Sequence, residues 1–302
     1  MSITEIAHRI TELKRLRNAV ILAHNYQIGE VQDIADFVGD SLELSRVAAR
    51  SGADVIVFCG VYFMAETAAI LAPEKIVLLP EILAGCPLAD MITADELREK
   101  KSRHKKAVTV TYINSTAEVK AESDICVTSS NAVKVVNSLQ ADEILFVPDQ
   151  NLGIHVAGKT GKRIILWEGY CITHHCVELK DIEAVRKVHP DATVIIHPEC
   201  RPEVVAAADF ALSTGEMIKF ARETDFHKII VGTEMGLIHR LQKENPQKKF
   251  FLLSQGLICP NMKQTNLHSI CNALENMQPQ ISVAKPILEA ARIPLERMLA
   301  VV

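Results

Sequence analysis

The feature that most constrains this chain is one pattern written three times. AVILAHNYQIGEVQDIADFVGDSLEL, VTVTYINSTAEVKAESDICVTSSNAV and ATVIIHPECRPEVVAAADFALSTGEM each open on an apolar run. Each then passes through a polar turn and a short helical segment to hydroxyls that open a further helix. Aligned on Asp36, Asp124 and Asp209, the copies are spaced by 88 and 85 residues. Twelve positions before the anchors stand His24, Tyr112 and His197, and ten before stand Tyr26, Asn114 and Glu199. Five after stand Ser41, Ser129 and Thr214. A repeat kept only for packing would preserve apolar residues, whereas here polar groups recur at matched offsets. That points to one site assembled from three copies.

The remainder of each copy follows suit. A second apolar strand is expected at 55–58, 144–147 and 229–231, running into Gly60-Val61-Tyr62, Pro148-Asp149-Gln150 and Gly232-Thr233-Glu234. After a helix comes a last strand at 76–79, 164–166 and 250–253. Short aliphatic runs alternating with helices imply an α/β fold with parallel sheets built from right-handed crossovers. Each last strand leads into a loop holding a cysteine, and Cys86, Cys171 and Cys259 are spaced by 85 and 88 residues, a second register of the same period. Ligands of parallel α/β sheets bind outside the carboxyl ends of the strands. The expected architecture is three pseudo-threefold-related α/β repeats forming a triangle around a central site. The segments are 1–103 with an N-terminal helix, 104–190, 191–275, and a C-terminal extension 276–302 with a helix from Pro286.

Composition narrows the partners. With 48% hydrophobic but only 5% aromatic residues, the core should be aliphatic. A net charge of −4 without a long basic run argues against nucleic acid. The most apolar window, VIVFCGVYFMAETAAILA, is interrupted by Glu66 and ended by Pro73, so it reads as strand, loop and helix and no membrane partner is expected. Ile3, Ile6, Ile10 and Leu13 among Glu5, Arg9, Glu12 and Lys14 describe an amphipathic helix and not a signal peptide. A cytoplasmic location is expected, where the eight cysteines would be thiols or metal ligands and not disulfides.

Three thiols on three loops can hold zinc or an iron–sulfur cluster, or can simply be buried. Structural zinc favours four ligands in closely spaced pairs, and no C-x-x-C occurs. A [4Fe–4S] cluster on three cysteines leaves one iron open as a Lewis acid that assists loss of water. Cys59, Cys126 and Cys271 sit in apolar patterns and read as core. Cys171, His174, His175 and Cys176 mimic a local zinc set at strained spacing, and Cys200 stays open. Ser41, Ser129, Ser213 and Thr214 stand where helix N-termini either receive a cap or bind an anion. His24, Tyr26, Tyr112, His197 and Glu199 would supply acid–base groups beside that anion.

The blocks AHNYQ (23–27), GDSLEL (39–44), YINSTAE (112–118), SSNAV (129–133), HPEC (197–200), STGEM (213–217), GTEMG (232–236) and CPNMK (259–263) closely resemble the quinolinate synthase family of NAD biosynthesis. The resemblance runs from about residue 18 to 275. It implies a transferase that condenses iminoaspartate with dihydroxyacetone phosphate to quinolinate, phosphate and water. It further implies a [4Fe–4S] cluster on Cys86, Cys171 and Cys259. Carried over by motif, the site residues are His24, Tyr26, Ser41, Tyr112, Asn114, Ser129, His174, His197, Glu199, Ser213 and Thr214. Functional coupling to the iminoaspartate-producing enzyme is an added expectation. Two departures stand out. Cys259 lacks the neighbouring cysteines with which some members form a proposed disulfide switch. The second loop reads CITHH where Cys-x-Val-His is common, leaving His175 and Cys176 without a role. The competing readings are another iron–sulfur hydro-lyase and a metal-based sensor.

Overall fold

Runs such as Val-Ile-Val-Phe-Cys and Glu-Ile-Leu-Phe-Val lack breakers and are almost free of charge, which suits strands covered on both faces of a parallel sheet. They become strands in the computed structural model, which describes residues 2–301; Met1 and Val302, the outer ends of the first and last expected segments, lie outside the described residues. The first sheet comprises β1 (Ala19–His24), β2 (Phe37–Gly39), β3 (Val55–Cys59) and β4 (Ile76–Leu78). The second comprises β5 (Val108–Tyr112), β6 (Ile125–Val127), β7 (Glu143–Val147) and β8 (Arg163–Leu166). The third comprises β9 (Thr193–Ile196), β10 (Phe210–Ala211), β11 (Lys228–Gly232) and β12 (Lys249–Leu252). The spatial orders are β2-β1-β3-β4, β6-β5-β7-β8 and β10-β9-β11-β12, every sheet pairing is parallel, and no sheet closes into a barrel.

This order fixes where a site can form. In each sheet the chain leaves the first strand toward one edge and returns toward the other, so a crevice opens beyond the carboxyl ends of the first and third strands. His24 and Tyr112 end β1 and β5, and His197 follows β9 directly. Cys59, Val147 and Gly232 end the third strands.

The anchoring aspartates turn out to be structural. The Asp36, Asp124 and Asp209 carboxylates accept the backbone N–H of Ile21, Thr109 and Val194 at 2.8, 2.8 and 2.7 Å. Their own N–H groups donate to the carbonyls of the same three residues. Each reciprocal pair starts the short edge strand β2, β6 or β10 against its neighbour. Those strands hold only two or three residues, too few for a hydrophobic period, and in the sequence they read merely as a step.

The hydroxyl positions differ in one respect from expectation. Helices Ser41–Arg50 and Thr214–Glu223 do begin at the anticipated residues, capped by the Asp40 and Ser213 side chains. Ser129 instead lies in a turn, and the helix begins at Ala132, because Asn131 Oδ1 accepts the Thr128 N–H at 2.7 Å and holds the turn open.

The ends tie the repeats together. Helix Ile3–Leu16 carries a Ser2/Glu5 capping box and buries Ile6, Ile10 and Leu13, each contributing roughly 1.5–3 kcal/mol relative to exposure. They pack in one cluster with Leu267, Ile270, Cys271 and Leu274 of helix Leu267–Asn276. Gln280 bridges to Leu78, and the last helix, Lys285–Ala300, packs on β6 and helix Ala117–Ala121. Among the described residues, no helix is long and apolar enough to cross a membrane.

Candidate active site

The three crevices open onto one cavity of about 210 Å³, sized for a small molecule. The first repeat lines it with His24, Tyr26, Asp40, Ser41 and Cys86. The second contributes Tyr112, Asn114, Thr128, Ser129, Cys171 and His174, and the third His197, Glu199, Thr214, Glu234 and Cys259. Of the site residues carried over by motif and the three loop cysteines, only Ser213 is not on this wall. Its hydroxyl is spent accepting the Glu216 N–H as a helix cap.

His24 and His197 are built the same way. In each, Nδ1 accepts the backbone N–H two residues on, from Tyr26 at 3.2 Å and from Glu199 at 3.3 Å. That leaves Nε2 as the protonated nitrogen, and on His197 it lies 3.2 Å from Ser129 Oγ. Burial pushes both imidazoles down to about 3, opposed by the Glu199 charge and, for His24, reinforced by Lys263. Both rings are therefore neutral at pH 7.

Glu199 has two donors: His174 Nδ1 lies 2.8 Å from its Oε2 and Tyr112 hydrogen-bonds to the same carboxylate, while the acceptor Nδ1 of His197 stands 3.3 Å from Oε2. Burial alone would raise this carboxyl; His174, then His197, then the tyrosine outweigh it and hold it below the usual carboxylate range. Oε1 is buried without a protein partner, which leaves one oxygen free for substrate. Tyr26 and Tyr112 are pushed well above the ordinary phenol range, first by burial and then by the Glu199 charge, so both are O–H donors at neutral pH. Tyr26 is aimed by a 2.6 Å hydrogen bond to Thr233 Oγ1, which also meets His174 Nε2 at 2.8 Å.

The helix openings meet on one side of the cavity. Asp40 receives a hydrogen bond from Ser130, and its Oδ2 faces Gly215 closely enough that a Cβ there would lie 3.0 Å away. Asn25 donates to Thr214 Oγ1 at 3.3 Å. Burial, followed by the neighbouring Glu43, pushes the Asp40 carboxyl up to about 6.

Cys86, Cys171 and Cys259 complete the wall. Burial is the largest influence on all three; it drives the Cys86 thiol up to about 12 and raises Cys171 and Cys259 as well. Thiols so biased against ionisation become thiolates when a cation supplies the missing positive charge. Cys171 Sγ, His174 Nδ1 and a Glu199 oxygen lie within 4.8 Å of one another, a set able to hold a metal ion. Three loop thiols facing one cavity fit a metal centre. His175 and Cys176 are not among these residues: His175 packs against Tyr170 with tilted rings whose centroids are 4.2 Å apart, and Cys176 is exposed, its Sγ 3.0 Å from the Thr173 carbonyl. Cys200 is buried behind β11, and Cys59, Cys126 and Cys271 are buried in the core.

Sequence reasoning passed over four contributors. Asp149 and Glu234 are fully buried carboxylates that accept the backbone N–H of Cys171 at 3.2 Å and of Cys259 at 3.1 Å. Lys263 pairs with Glu234 at 2.8 Å. Thr233 orients Tyr26 and His174. The available signal was positional: Asp149 and Thr233-Glu234 occupy matched turns after β7 and β11.

Fold and cavity together define a triple-repeat α/β protein whose candidate small-molecule site gathers thiols, imidazoles, tyrosines and carboxylates from the three repeats, with side chains able to hold a metal. The family model described as quinolinate synthetase A protein, NadA, matches residues 8–300. A quinolinate synthase of Dehalococcoides mccartyi strain CBDB1 is 60% identical over 297 residues, covering 98% of both chains. Those of Alkaliphilus metalliredigens and Methanosarcina barkeri are each 53% identical, over 302 and 301 residues, covering at least 99% of either chain. The chain belongs to the quinolinate synthase family.

Proposed function

We propose that this cavity condenses iminoaspartate with dihydroxyacetone phosphate to quinolinate, releasing one phosphate and two waters, and that Cys86, Cys171 and Cys259 hold a [4Fe–4S] cluster. The observation that carries the reading is the opening of all three repeats' cysteine loops onto the cavity that holds Glu199. When bound, the cluster supplies a Lewis-acidic iron without a cysteine ligand.

The protein's own groups divide the remaining work. Ser41, Ser129 and Thr214, with the N-termini of helices Ser41–Arg50 and Thr214–Glu223, bind the phosphate and carboxylate groups. His24, Asn114 and the Nε2–H of His197 orient carboxylate and imine. Glu199, ionised and with one oxygen free, takes protons from carbon. Tyr26 and Tyr112, held protonated, donate to departing oxygens. His174 takes a proton from Glu199 at Nδ1 and passes one on from Nε2 to the Thr233 hydroxyl. Ser213 contributes through the helix end it caps. The activity is a transferase reaction of NAD biosynthesis in the cytoplasm, coupled functionally to whichever enzyme supplies iminoaspartate. Each of 1–103, 104–190 and 191–275 acts as one repeat domain, with 276–302 as a tie.

The test is iron, sulfide and zinc analysis of protein purified without oxygen, with Cys86→Ser alongside, followed by a quinolinate assay. About four irons and four sulfides per chain, depleted in the variant, together with quinolinate formation, are expected. One zinc without sulfide, or no quinolinate from a loaded protein, overturns the reading.

A further inference from the structure

Two residues outside the reacting set join the cysteine side of the cavity to the tyrosine side. Glu234, fully buried, accepts the Cys259 N–H on Oε1 at 3.1 Å and the Gly236 N–H on Oε2 at 2.7 Å. Lys263 Nζ lies 2.8 Å from Oε1 and 2.9 Å from Oε2, and it also donates to the backbone carbonyl of Tyr26. Gly236 closes the same contact from below: a Cβ there would stand 2.6 Å from the Tyr26 carbonyl carbon and oxygen. The Tyr26 hydroxyl, at the other end of that residue, is bound by Thr233. Tyr26 of the first repeat is thus gripped at both ends by the segment that carries Glu234, and the same carboxylate seats Cys259.

The other repeats show that this is more than a generic ion pair. In the second, Asp149 accepts the Cys171 N–H at 3.2 Å and the Leu152 N–H at 2.8 Å, but among the described residues no lysine or arginine pairs with it. In the first, the Tyr62 N–H donates to the Ala84 carbonyl and no carboxylate takes part. Of the three turns, only the third carries a cation–carboxylate pair among the described residues, and that pair reaches from the Cys259 loop to Tyr26 of the first repeat.

We infer that Glu234 and Lys263 are positioning residues that lock the Cys259 loop to the Tyr26 backbone, fixing the metal-binding thiol and the tyrosine hydroxyl relative to each other. The inference rests on the roles proposed above for Cys259 and Tyr26. A lysine between two fixed acceptors transmits displacement of either. Removing it leaves the buried carboxylate under-compensated and frees both segments at once.

The experiment uses full-length protein purified without oxygen, as wild type, Lys263→Met, Lys263→Arg and Glu234→Gln. Iron release to a ferrous chelator, the electron paramagnetic resonance spectrum of the reduced protein, kcat and KM are measured. Lys263→Met is expected to start with the wild-type iron content, release it about tenfold faster and lose about tenfold in kcat with little change in KM, as outer-shell substitutions at metal centres do. Lys263→Arg should recover most of both, and the resonance spectrum should shift in Lys263→Met. Should Lys263→Met fail to fold, Glu234→Gln carries the same expectation, because its amide oxygen still accepts one N–H. Wild-type release rate, spectrum and kcat in the folded variants overturn the inference. A wild type without iron and sulfide fails the proposed function instead, so the two failures are distinguishable.

Discussion

At the end of its first strand, the second repeat departs from the other two. The first and third repeats place a histidine there, and both histidines turn Nδ1 to the N–H two residues on, so each presents a neutral Nε2–H. The second places Tyr112, whose phenol reaches across to Glu199. Two positions further on the three repeats diverge completely, into Tyr26, Asn114 and Glu199. The repeat therefore fixes where a side chain stands and leaves its chemistry free. The proposed pair of unlike substrates needs that freedom: three equal walls would bind a symmetric ligand, whereas here the third wall carries Glu199 and the second carries the donors that meet it, His174 and Tyr112.

The largest test of this contrast is Glu199→Gln. If the carboxylate is what the third repeat alone supplies, kcat should fall by about 10²–10⁴ with iron content unchanged, in the range typical of a lost general base. Asn114→Ala, at the matched place in the second repeat, should act mainly on KM. Equal kcat losses in the two variants, measured by quinolinate formation, would erase the distinction.

A second test concerns what the histidines share. The folded-state value of each is near 3, below the ordinary 6.5, so between those limits the unfolded chain binds a proton that the folded chain refuses. Stability is then fully retained above pH 6.5 and falls as pH drops below it, by about 2 kcal/mol per histidine at pH 5. Urea melts of wild type, His24→Asn and His197→Asn between pH 7 and 5 read this directly. Each variant should lose about one proton's worth of slope, and by the same amount if the two rings are equivalent. Unchanged slopes in both would sink the claim of buried neutral imidazoles.

Much of this was legible in the sequence, for a physical reason. Strands such as β3 and β7 are long, aliphatic and buried on both faces, and the polar residues that end them stand out against that background. The central triangle followed from the repeat period and the rule that parallel sheets bind at strand ends. What escaped was everything decided by side-chain direction. Asp36, Asp124 and Asp209 gave the alignment, but nothing in the letters says that their carboxylates face backbone and not substrate. Ser213 and Thr214 are adjacent hydroxyls, yet one caps the helix and the other lines the cavity. Asp149 and Glu234 stand at matched places after β7 and β11, but only the structure shows that they and Lys263 act on backbone groups, those of the cysteine loops and of Tyr26.

The smallest expected effect isolates a third asymmetry, one position before the hydroxyls. There the second and third repeats carry Thr128 and Ser213, while the first carries Asp40, an ionisable group on the wall proposed above to bind anions. Its carboxyl is raised to about 6, above the ordinary 3.8, chiefly by burial and then by Glu43. Between those limits the folded chain holds a proton that the unfolded chain has released. Stability from this residue is therefore unpenalised below pH 3.8, declines as pH rises and is lowest above 6. Asp40→Asn removes the charge but keeps an oxygen to cap the Glu43 N–H, which Asp40 Oδ1 now accepts at 2.8 Å. At pH 7 the variant should be more stable by about 1 kcal/mol, roughly a third of the full linkage value of about 3 kcal/mol, because the group borders an open cavity where solvent screens it. Near pH 4 the advantage should vanish. An Asp40→Asn protein that is less stable at pH 7 would show that the carboxylate is held by donors and not penalised by burial. The first repeat would then be built around its charge, where its counterparts need only a hydroxyl.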